Sequence, residues 1–325
     1  MEQPGLIGDI GGTNARFALT DLSAPSPEIL HERTFGDGEF ASLQDAALHY
    51  LSDVAVKPKR AALAVASPIH GDEVVFTNRA WSFSRGAVQR ALALDELQVI
   101  NDFGAIAWAA PQLDASMRVV MHGQLAASLQ PPITLIGPGT GLGVALLVGP
   151  RAQGWRVVET EGGHASFAPQ DKEEHQVARW IAARCGRVSN ERLLSGDGLS
   201  HIDAALRGVV PAALSAPQPG TRTAKEIVAA ALQDNDADAK RALDLFCRVF
   251  GGVAGDAALL HGARTVMIAG GVVLHFLDYF LASEFMRRFS DKGRYRDYMQ
   301  RIAVQVITHA NPGLLGAAVA LRNSA

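Results

Sequence analysis

Two stretches of this sequence share one plan, in which an apolar strand runs into a glycine-rich turn and a second strand leaves it. The first stretch, residues 4–21, turns at Gly8-Asp9-Ile10-Gly11-Gly12-Thr13-Asn14, and the second, residues 133–148, turns at Gly137–Gly143. After Thr13 the polarity alternates with a period near two, which predicts an antiparallel strand rather than a helix. Because the two copies fall near the start of each half, they predict a duplicated α/β fold of two domains.

The first turn lacks the features of two common phosphate-binding motifs. A dinucleotide-binding turn opens a helix, and a P-loop needs Gly-Lys-Ser/Thr, whereas the nearest lysine is Lys57. What remains is either a hairpin whose backbone N–H groups close around phosphate oxygens, or an ordinary hairpin with a Gly-Gly turn. Asp9, at the end of the first strand, can lie beside phosphates if Mg²⁺ is held between them, usually through water.

A third glycine pair is followed by a different element. Thr265–Ala269 predicts a buried strand, Gly270-Gly271 follows it, and Val272–Leu281 predicts a helix. Such a turn fits under the sugar and base of a nucleotide. We expect a smaller domain of residues 1–111 plus 312–325, a larger domain of residues 112–311, and a cleft between them.

Length, charge and cysteine content narrow the class of protein. The 325 residues suffice for two domains, and 30 basic against 33 acidic residues, a net charge of -3, give a nucleic-acid partner no electrostatic support. No signal peptide and no 18-residue apolar stretch is evident, so we expect a cytoplasmic protein without a membrane partner. Cys185 and Cys247 have no metal-ligand spacing, which predicts reduced thiols.

Seven motifs occur in order along nearly the whole chain and together resemble a known family. They are Gly8-Asp9-Ile10-Gly11-Gly12-Thr13-Asn14-Ala15-Arg16, Asn101-Asp102-Phe103, Gly139-Thr140-Gly141-Leu142-Gly143, Glu161-Gly162-Gly163-His164, Glu191-Arg192-Leu193-Leu194-Ser195-Gly196, Ala269-Gly270-Gly271 and Asn311-Pro312-Gly313-Leu314-Leu315-Gly316. The set resembles the bacterial ATP-dependent glucokinase family, within the actin/hexokinase/Hsp70-like ATPase superfamily. Pro138 departs from the small residue that the family often has, although proline suits a turn.

The resemblance implies a fold, a reaction and an assembly. The fold is a two-domain actin-like ATPase, also called ribonuclease H-like, and the reaction transfers the γ-phosphoryl group of ATP to the 6-hydroxyl of glucose. Such a transfer needs in-line positioning, charge neutralisation and a carboxylate that accepts the hydroxyl proton. ATP and Mg²⁺ are the implied cofactors, and a homodimer is the implied assembly.

Asp102 is the candidate catalytic base. It lies where a strand ends and a helix begins, so backbone dipoles should keep it ionised. By itself the position is equally that of an ordinary helix cap. The resemblance favours the catalytic role, because Asn101-Asp102 matches the family's sugar-binding asparagine and catalytic aspartate.

The resemblance also implies a set of sugar ligands, namely Asn101, Asp102, Glu161, His164, Glu191 and, from the first domain, Asn78. Carboxylates and a neutral imidazole suit adjacent hydroxyls that both donate and accept hydrogen bonds. The residues alone leave other interpretations open. His164 can be a loop residue whose ring nitrogens are hydrogen-bonded within the protein. Glu191 can belong to the acidic first turn of a helix, and Asn78 to a Thr-Asn turn.

On the nucleotide side the resemblance implies contacts from the three glycine turns, with Asp9 holding Mg²⁺ through water. The implied residues are Gly8, Asp9, Ile10, Gly11, Gly12, Thr13, Gly139, Thr140, Gly141, Gly270 and Gly271. Two other functions stay open, a kinase for another hexose or an amino sugar, and a sugar sensor without catalysis.

Overall fold

The structure is a computed structural model that describes residues 1–12, 14–36, 38–69, 71–76, 81–124, 129–149 and 154–323. Two residues expected in the site, Thr13 and Asn78, lie outside these ranges. The chain forms two compact units, which we call unit 1 (Met1–Ser116, Pro150–Glu159 and His309–Ala325) and unit 2 (Met117–Gly149 and Thr160–Thr308). The domain boundaries expected from the sequence stay a prediction.

Strands and helices occur mostly in runs along the chain. The strands are β1 (Pro4–Ile10), β2 (Asn14–Asp21), β3 (Leu30–Gly36), β4 (Arg60–Val65), β5 (Glu73–Val75), β6 (Ser82–Ser84), β7 (Glu96–Asn101), β8 (Arg118–His122), β9 (Ile133–Pro138), β10 (Leu142–Val148), β11 (Arg156–Thr160), β12 (Thr265–Ile268) and β13 (Ala303–Ile307). The α-helices are α1 (Leu43–Val54), α2 (Arg85–Ala91), α3 (Asp102–Ala109), α4 (Lys172–Cys185), α5 (Gly196–Leu206), α6 (Ala224–Leu232), α7 (Ala237–His261), α8 (Gly271–Leu274), α9 (Leu277–Leu281), α10 (Phe285–Ser290), α11 (Arg296–Met299) and α12 (Pro312–Asn323).

Unit 1 is built on a five-stranded sheet of order β3-β2-β1-β4-β7. Successive side chains of a strand point to opposite faces of the sheet, so two buried neighbours on one strand show that both faces are covered. Leu6 belongs to the core that includes Tyr50 of α1, whereas its neighbour Ile7 packs with Leu314 of α12. Helices therefore cover both faces, which explains the continuous apolar runs in β1 and β4.

The sheet that contains most strands of unit 2 repeats this plan in the order β11-β10-β9-β12-β13-β8. In unit 1, β1 is antiparallel to β2 and parallel to β4; correspondingly, β9 is antiparallel to β10 and parallel to β12. Both glycine turns thus join antiparallel strands, as predicted. The repeated pairing confirms the duplicated α/β architecture.

Helix starts follow the local signals, whereas one predicted helix is wrong in extent. Ser42 caps α1 by accepting a hydrogen bond from the Asp45 N–H, which fixes the first turn. The helix expected over residues 272–281 is instead two short helices, α8 and α9, separated at His275 and Phe276. Phe276 is 3% exposed and belongs to the core of unit 2, so tertiary packing overrides the helical periodicity there.

Membrane insertion finds no support in the helices. Within the part of the chain that the structure describes, no helix combines the length and apolarity needed to cross a bilayer.

Candidate functional site

The first glycine turn places Asp9 opposite Arg16. The two residues are directly paired in the register of β1 and β2, and Arg16 Nη1 lies 3.5 Å from Asp9 Oδ2. The turn is closed by a hydrogen bond from the Gly11 N–H to the Asn14 carbonyl at 2.9 Å. The sequence indicates a role for Asp9 but none for Arg16, because cross-strand pairing depends on the register of the hairpin.

The Asp9 carboxylate also lies against the start of α12. A Cβ built on Gly313 would lie 2.9 Å from Asp9 Oδ2, so the absence of a side chain there leaves room for the carboxylate. Burial raises the pKa of Asp9, and the neighbouring Arg16 guanidinium offsets part of the rise. The side chain is still 20% exposed, which leaves it accessible to a hydrated cation.

Asn101 and Asp102 stand at the junction of β7 and α3, as expected. Asn101 is the helix cap, since its Oδ1 accepts hydrogen bonds from the Phe103 N–H at 2.9 Å and the Gly104 N–H at 3.2 Å. Asp102 is therefore the first helical residue and does not occupy the cap position. Its Oδ1 accepts a hydrogen bond from the Phe103 N–H at 2.8 Å, and the helix dipole favours its ionised form.

Unit 2 brings three of the expected sugar ligands together. His164 Nε2 lies 3.9 Å from Glu161 Oε2, and His164 Nδ1 lies 3.8 Å from Glu191 Oε1. These distances exceed the length of a hydrogen bond, so the three side chains are near one another without being directly bonded. His164 and Glu161 are 56% and 54% exposed, and their polar atoms can therefore reach a ligand.

Glu191 connects this polar cluster to the second glycine turn. Its Oε2 accepts a hydrogen bond from the Leu142 N–H at 3.0 Å. A Cβ on Gly141 would overlap the same carboxylate, so the glycine is required for this contact. The other interpretation of Glu191, an acidic residue in the first turn of a helix, also holds, because Glu191 lies in a 3-10 turn of residues 190–192. Glu191, one of the expected sugar ligands, thus contacts the glycine turn that is expected to bind phosphate.

The glycines before His164 have a packing reason. A Cβ on Gly163 would overlap the Leu142 carbonyl of β10, and one on Gly162 would lie 3.1 Å from Val144 Cβ. The backbone of this turn can therefore lie directly on the strand only because both side chains are missing. The arrangement holds Glu161 and His164 close to the second glycine turn.

The second and third glycine turns lie side by side at the ends of β9 and β12. A Cβ on Gly137 would overlap the Ala269 carbonyl, and one on Gly270 would overlap the Pro138 carbonyl. Gly270 has a φ of 89°, a conformation that favours glycine. The close approach of the two backbones explains why both positions are glycine, and it brings Gly270 and Gly271 next to the Gly139–Gly141 turn.

The start of α5 completes the surroundings of the second turn. The Gly196 N–H donates a hydrogen bond to the Gly139 carbonyl at 3.0 Å, and the Gly139 N–H bonds to the Gly141 carbonyl at 2.8 Å. Thr140 lies at the exposed tip. Helix N-termini and glycine backbones are favourable environments for phosphate groups.

The donor set suits magnesium better than a tightly ligated metal. No group of three or more His, Cys, Asp or Glu residues that could hold a metal ion occurs among residues the structure describes. Mg²⁺ typically uses one or two carboxylates, substrate phosphates and several waters. The partly exposed Asp9 carboxylate beside the first glycine turn fits that requirement.

Comparisons with known proteins agree with these features. The family model described as Glucokinase matches residues 6–324. The chain belongs to the glucokinase family. It is 44% identical over 318 residues to a glucokinase from Yersinia pestis (strain Pestoides F), a match covering 98% of this chain and 96% of that protein.

Solved structures extend the family assignment to the fold. A glucokinase from an Antarctic psychrotroph superimposes with a TM-score of 0.84 at 37% identity, covering 99% of both chains. A ROK family glucokinase from Streptomyces griseus, in complex with glucose and AMPPNP, has a TM-score of 0.59 at 22% identity and covers 99% of both chains, a likeness of fold alone. The predicted family and the actin-like ATPase fold are confirmed; the cleft between the domains stays a prediction.

Proposed function

We propose that this glucokinase family member transfers the γ-phosphoryl group of ATP to the 6-hydroxyl of glucose, giving glucose 6-phosphate and ADP. The observation that carries the proposal is the position of Glu191, which lies beside His164 and bonds to the Leu142 N–H of the second glycine turn. A sugar-binding side chain and a phosphate-binding turn therefore belong to one arrangement. The glucokinase family model and the 44% identity to the Yersinia pestis glucokinase support this reaction.

Asp102 is proposed as the general base. In the reaction, sugar O6 forms a bond to the γ-phosphorus while the bond from that phosphorus to the β,γ-bridging oxygen breaks. The proton of the 6-hydroxyl passes to the Asp102 carboxylate, and ADP leaves with the bridging oxygen. The position of Asp102 at the first residue of α3 supports this role because the helix N-terminus stabilises the charged form that accepts the proton.

The sugar hydroxyls are the proposed partners of Glu161, His164, Glu191 and Asn101. The Asn101 oxygen already accepts two helix N–H groups, so its carboxamide nitrogen is the group that would donate to the sugar. Glu161 and His164 supply an acceptor and an imidazole from the exposed part of the cluster. Asn78 is proposed as a further sugar ligand on the family resemblance alone.

The nucleotide phosphates are the proposed ligands of the two hairpin turns. The Gly8–Gly12 and Gly139–Gly141 segments would surround the phosphate oxygens with backbone N–H groups other than those of Gly11 and Gly139, which close the turns. The Thr13 and Thr140 hydroxyls would be further donors. Gly270 and Gly271 would lie beneath the adenosine. Mg²⁺, held by Asp9 through water, would neutralise charge on the phosphates.

Two other functions on the same fold make different predictions. A kinase for another hexose or an amino sugar would turn over its own sugar faster than glucose, which assays on several sugars detect. A sensor without catalysis would bind sugar but release no ADP. The presence of both Asp9 and Asp102 favours a catalyst. A homodimer is proposed from the family resemblance alone, and the cytoplasmic location stays a prediction.

Glucose-dependent ADP production by the wild type and Asp102→Asn tests the proposal. A positioned general base contributes ~10²–10⁴-fold, so the variant should lose at least ~10² in kcat. Asp95→Asn, an exposed aspartate just before β7, is the matched control and should keep wild-type turnover. An Asp102→Asn variant within about threefold of wild type would reject Asp102 as the base, and a wild type without turnover on glucose would reject the function.

A further inference from the structure

A second carboxylate lies at the start of α3. Glu159, near the end of β11, accepts a hydrogen bond through Oε1 from the Asn101 N–H at 2.9 Å. Both residues belong to unit 1. None of the seven motifs includes Glu159, and its role depends on a contact between residues 58 positions apart.

Asn101 is consequently held on two sides. Its side chain is fixed by the Phe103 and Gly104 N–H groups of α3, and its backbone N–H is fixed by Glu159. β7 is an edge strand of its sheet. On such a strand, backbone N–H groups that point outward need a partner from elsewhere, and Glu159 supplies one.

Gly104 makes room for this contact. A Cβ built on Gly104 would lie 2.8 Å from Glu159 Cγ and would overlap the carboxylate. Glycine in a helix interior is unfavourable relative to alanine, so local propensity gives no reason for a glycine at this position. The space it leaves is occupied by Glu159.

We propose that Glu159 is a positioning residue for catalysis, which holds the Asn101 backbone and thereby sets the place of the Asp102 carboxylate at the sugar hydroxyl. This inference rests on the proposed function of Asp102. Glu159 acts through Asn101 and needs no contact with substrate.

Kinetics of Glu159→Ala and Glu159→Gln separate the hydrogen bond from the charge. Glu159→Ala removes the acceptor and should lower kcat by about tenfold or more, because small displacements of a catalytic group cost up to ~10² in rate. The KM for ATP should stay unchanged, since the hydrogen bond of Glu159 is to Asn101 at the start of α3. Glu159→Gln keeps an oxygen acceptor and should restore kcat to within about threefold of wild type at its optimum.

Rescue by the conservative variant supplies a readout that a purely structural role would not give. Glu159→Gln should recover the kcat that Glu159→Ala loses, with the KM for ATP unchanged in both variants. Val158→Ala, on the same strand and 45% exposed, is the matched control and should leave kcat unaltered.

A double-mutant cycle with Gly104→Ala tests the packing argument. Alone, Gly104→Ala should displace the Glu159 carboxylate and reduce kcat as Glu159→Ala does. In the Glu159→Ala background the added methyl group meets no carboxylate, so its further effect on kcat should be small. Purely additive effects of the two substitutions would contradict a shared mechanism.

Hydrogen exchange separates failure of this inference from failure of the proposed function. The Asn101 amide should exchange faster in Glu159→Ala than in the wild type, whatever the reaction is. Unchanged exchange at that amide, a kcat within about threefold of wild type in Glu159→Ala, or equal losses in the Ala and Gln variants would each overturn the positioning role. Absence of glucose turnover in the wild type would reject only the proposed function.

Discussion

Glu191 accepts a hydrogen bond from the backbone N–H of Leu142, which follows the Gly139–Gly141 turn. The two residues are 49 positions apart, and the contact fixes one carboxylate oxygen while the other lies 3.8 Å from His164 Nδ1. A change in the Gly139–Gly141 turn should therefore alter the position of Glu191 in the proposed sugar site.

Gly141→Ala should weaken glucose binding without abolishing folding. The new methyl group would overlap the Glu191 carboxylate and force it away from Leu142 and His164. We expect the KM for glucose to rise by about tenfold, the effect of losing ~1.4 kcal/mol of binding free energy. Steady-state kinetics measure it. Gly252→Ala in α7, where a Cβ makes only ordinary contacts with Arg288, is the matched control.

Glu161→Gln should act mainly on sugar binding. The substitution removes the charge that strengthens a hydrogen bond to a sugar hydroxyl, which is worth roughly 1.5–3 kcal/mol when one partner is ionised. The KM for glucose should therefore rise by about tenfold or more, and the KM for ATP should change by less than about twofold. An unaltered glucose KM would show that Glu161 does not bind the sugar.

Asp9→Asn should stabilise the protein at neutral pH while reducing its activity. The pKa of Asp9 is raised above 3.8 in the folded state, so the folded protein binds this proton more tightly than the unfolded chain. Wild-type stability consequently falls as pH rises from 3.8 through the raised pKa, and the variant escapes this loss. Thermal unfolding at several pH values measures the difference, which should vanish in acid.

Asp21→Asn, on the same hairpin, is a control that should change the stability of the protein in the opposite direction. A hydrogen bond from the Ser23 hydroxyl is the main cause that lowers the pKa of Asp21 in the folded protein. Its ionised form therefore contributes stability above the unfolded pKa, and this contribution is lost as pH falls. Asp21→Asn should destabilise the protein at neutral pH. Equal changes of stability in Asp9→Asn and Asp21→Asn would contradict the opposite pKa directions of the two carboxyl groups.

Asp203→Ala should be strongly destabilising. Asp203 is fully buried in α5 and accepts hydrogen bonds from Arg207 at 3.0 Å and Arg222 at 3.1 Å. Removing one partner of a buried ion pair costs about 3–5 kcal/mol, and we expect the lower end because both arginines are partly exposed. Urea denaturation measures the free energy of unfolding.

The matched variant is Asp256→Ala, which removes an exposed ion pair with Lys292. Asp256 is 62% exposed, and surface pairs contribute about 0–1 kcal/mol. Comparable losses in Asp203→Ala and Asp256→Ala would show that burial does not set the strength of the Asp203 pair.

Local sequence patterns predicted the elements whose causes are local. The alternation after Thr13 indicated β2, and the apolar residues before the two glycine turns indicated β1 and β9. Capping of α1 by Ser42 is local in the same sense, because a cap and its N–H partner lie three residues apart. The break between α8 and α9 was not predictable from periodicity, since core packing of Phe276 decides it.

The sequence by itself determined the strand-turn-strand repeat, the residue types in the site and, through seven motifs in order, the family. Tertiary structure decided that Arg16 pairs with Asp9 and that Glu159 holds Asn101. The physical reason is range: propensity and capping act over three or four residues. Hydrogen bonds and burial depend instead on distant segments that meet only in the folded chain.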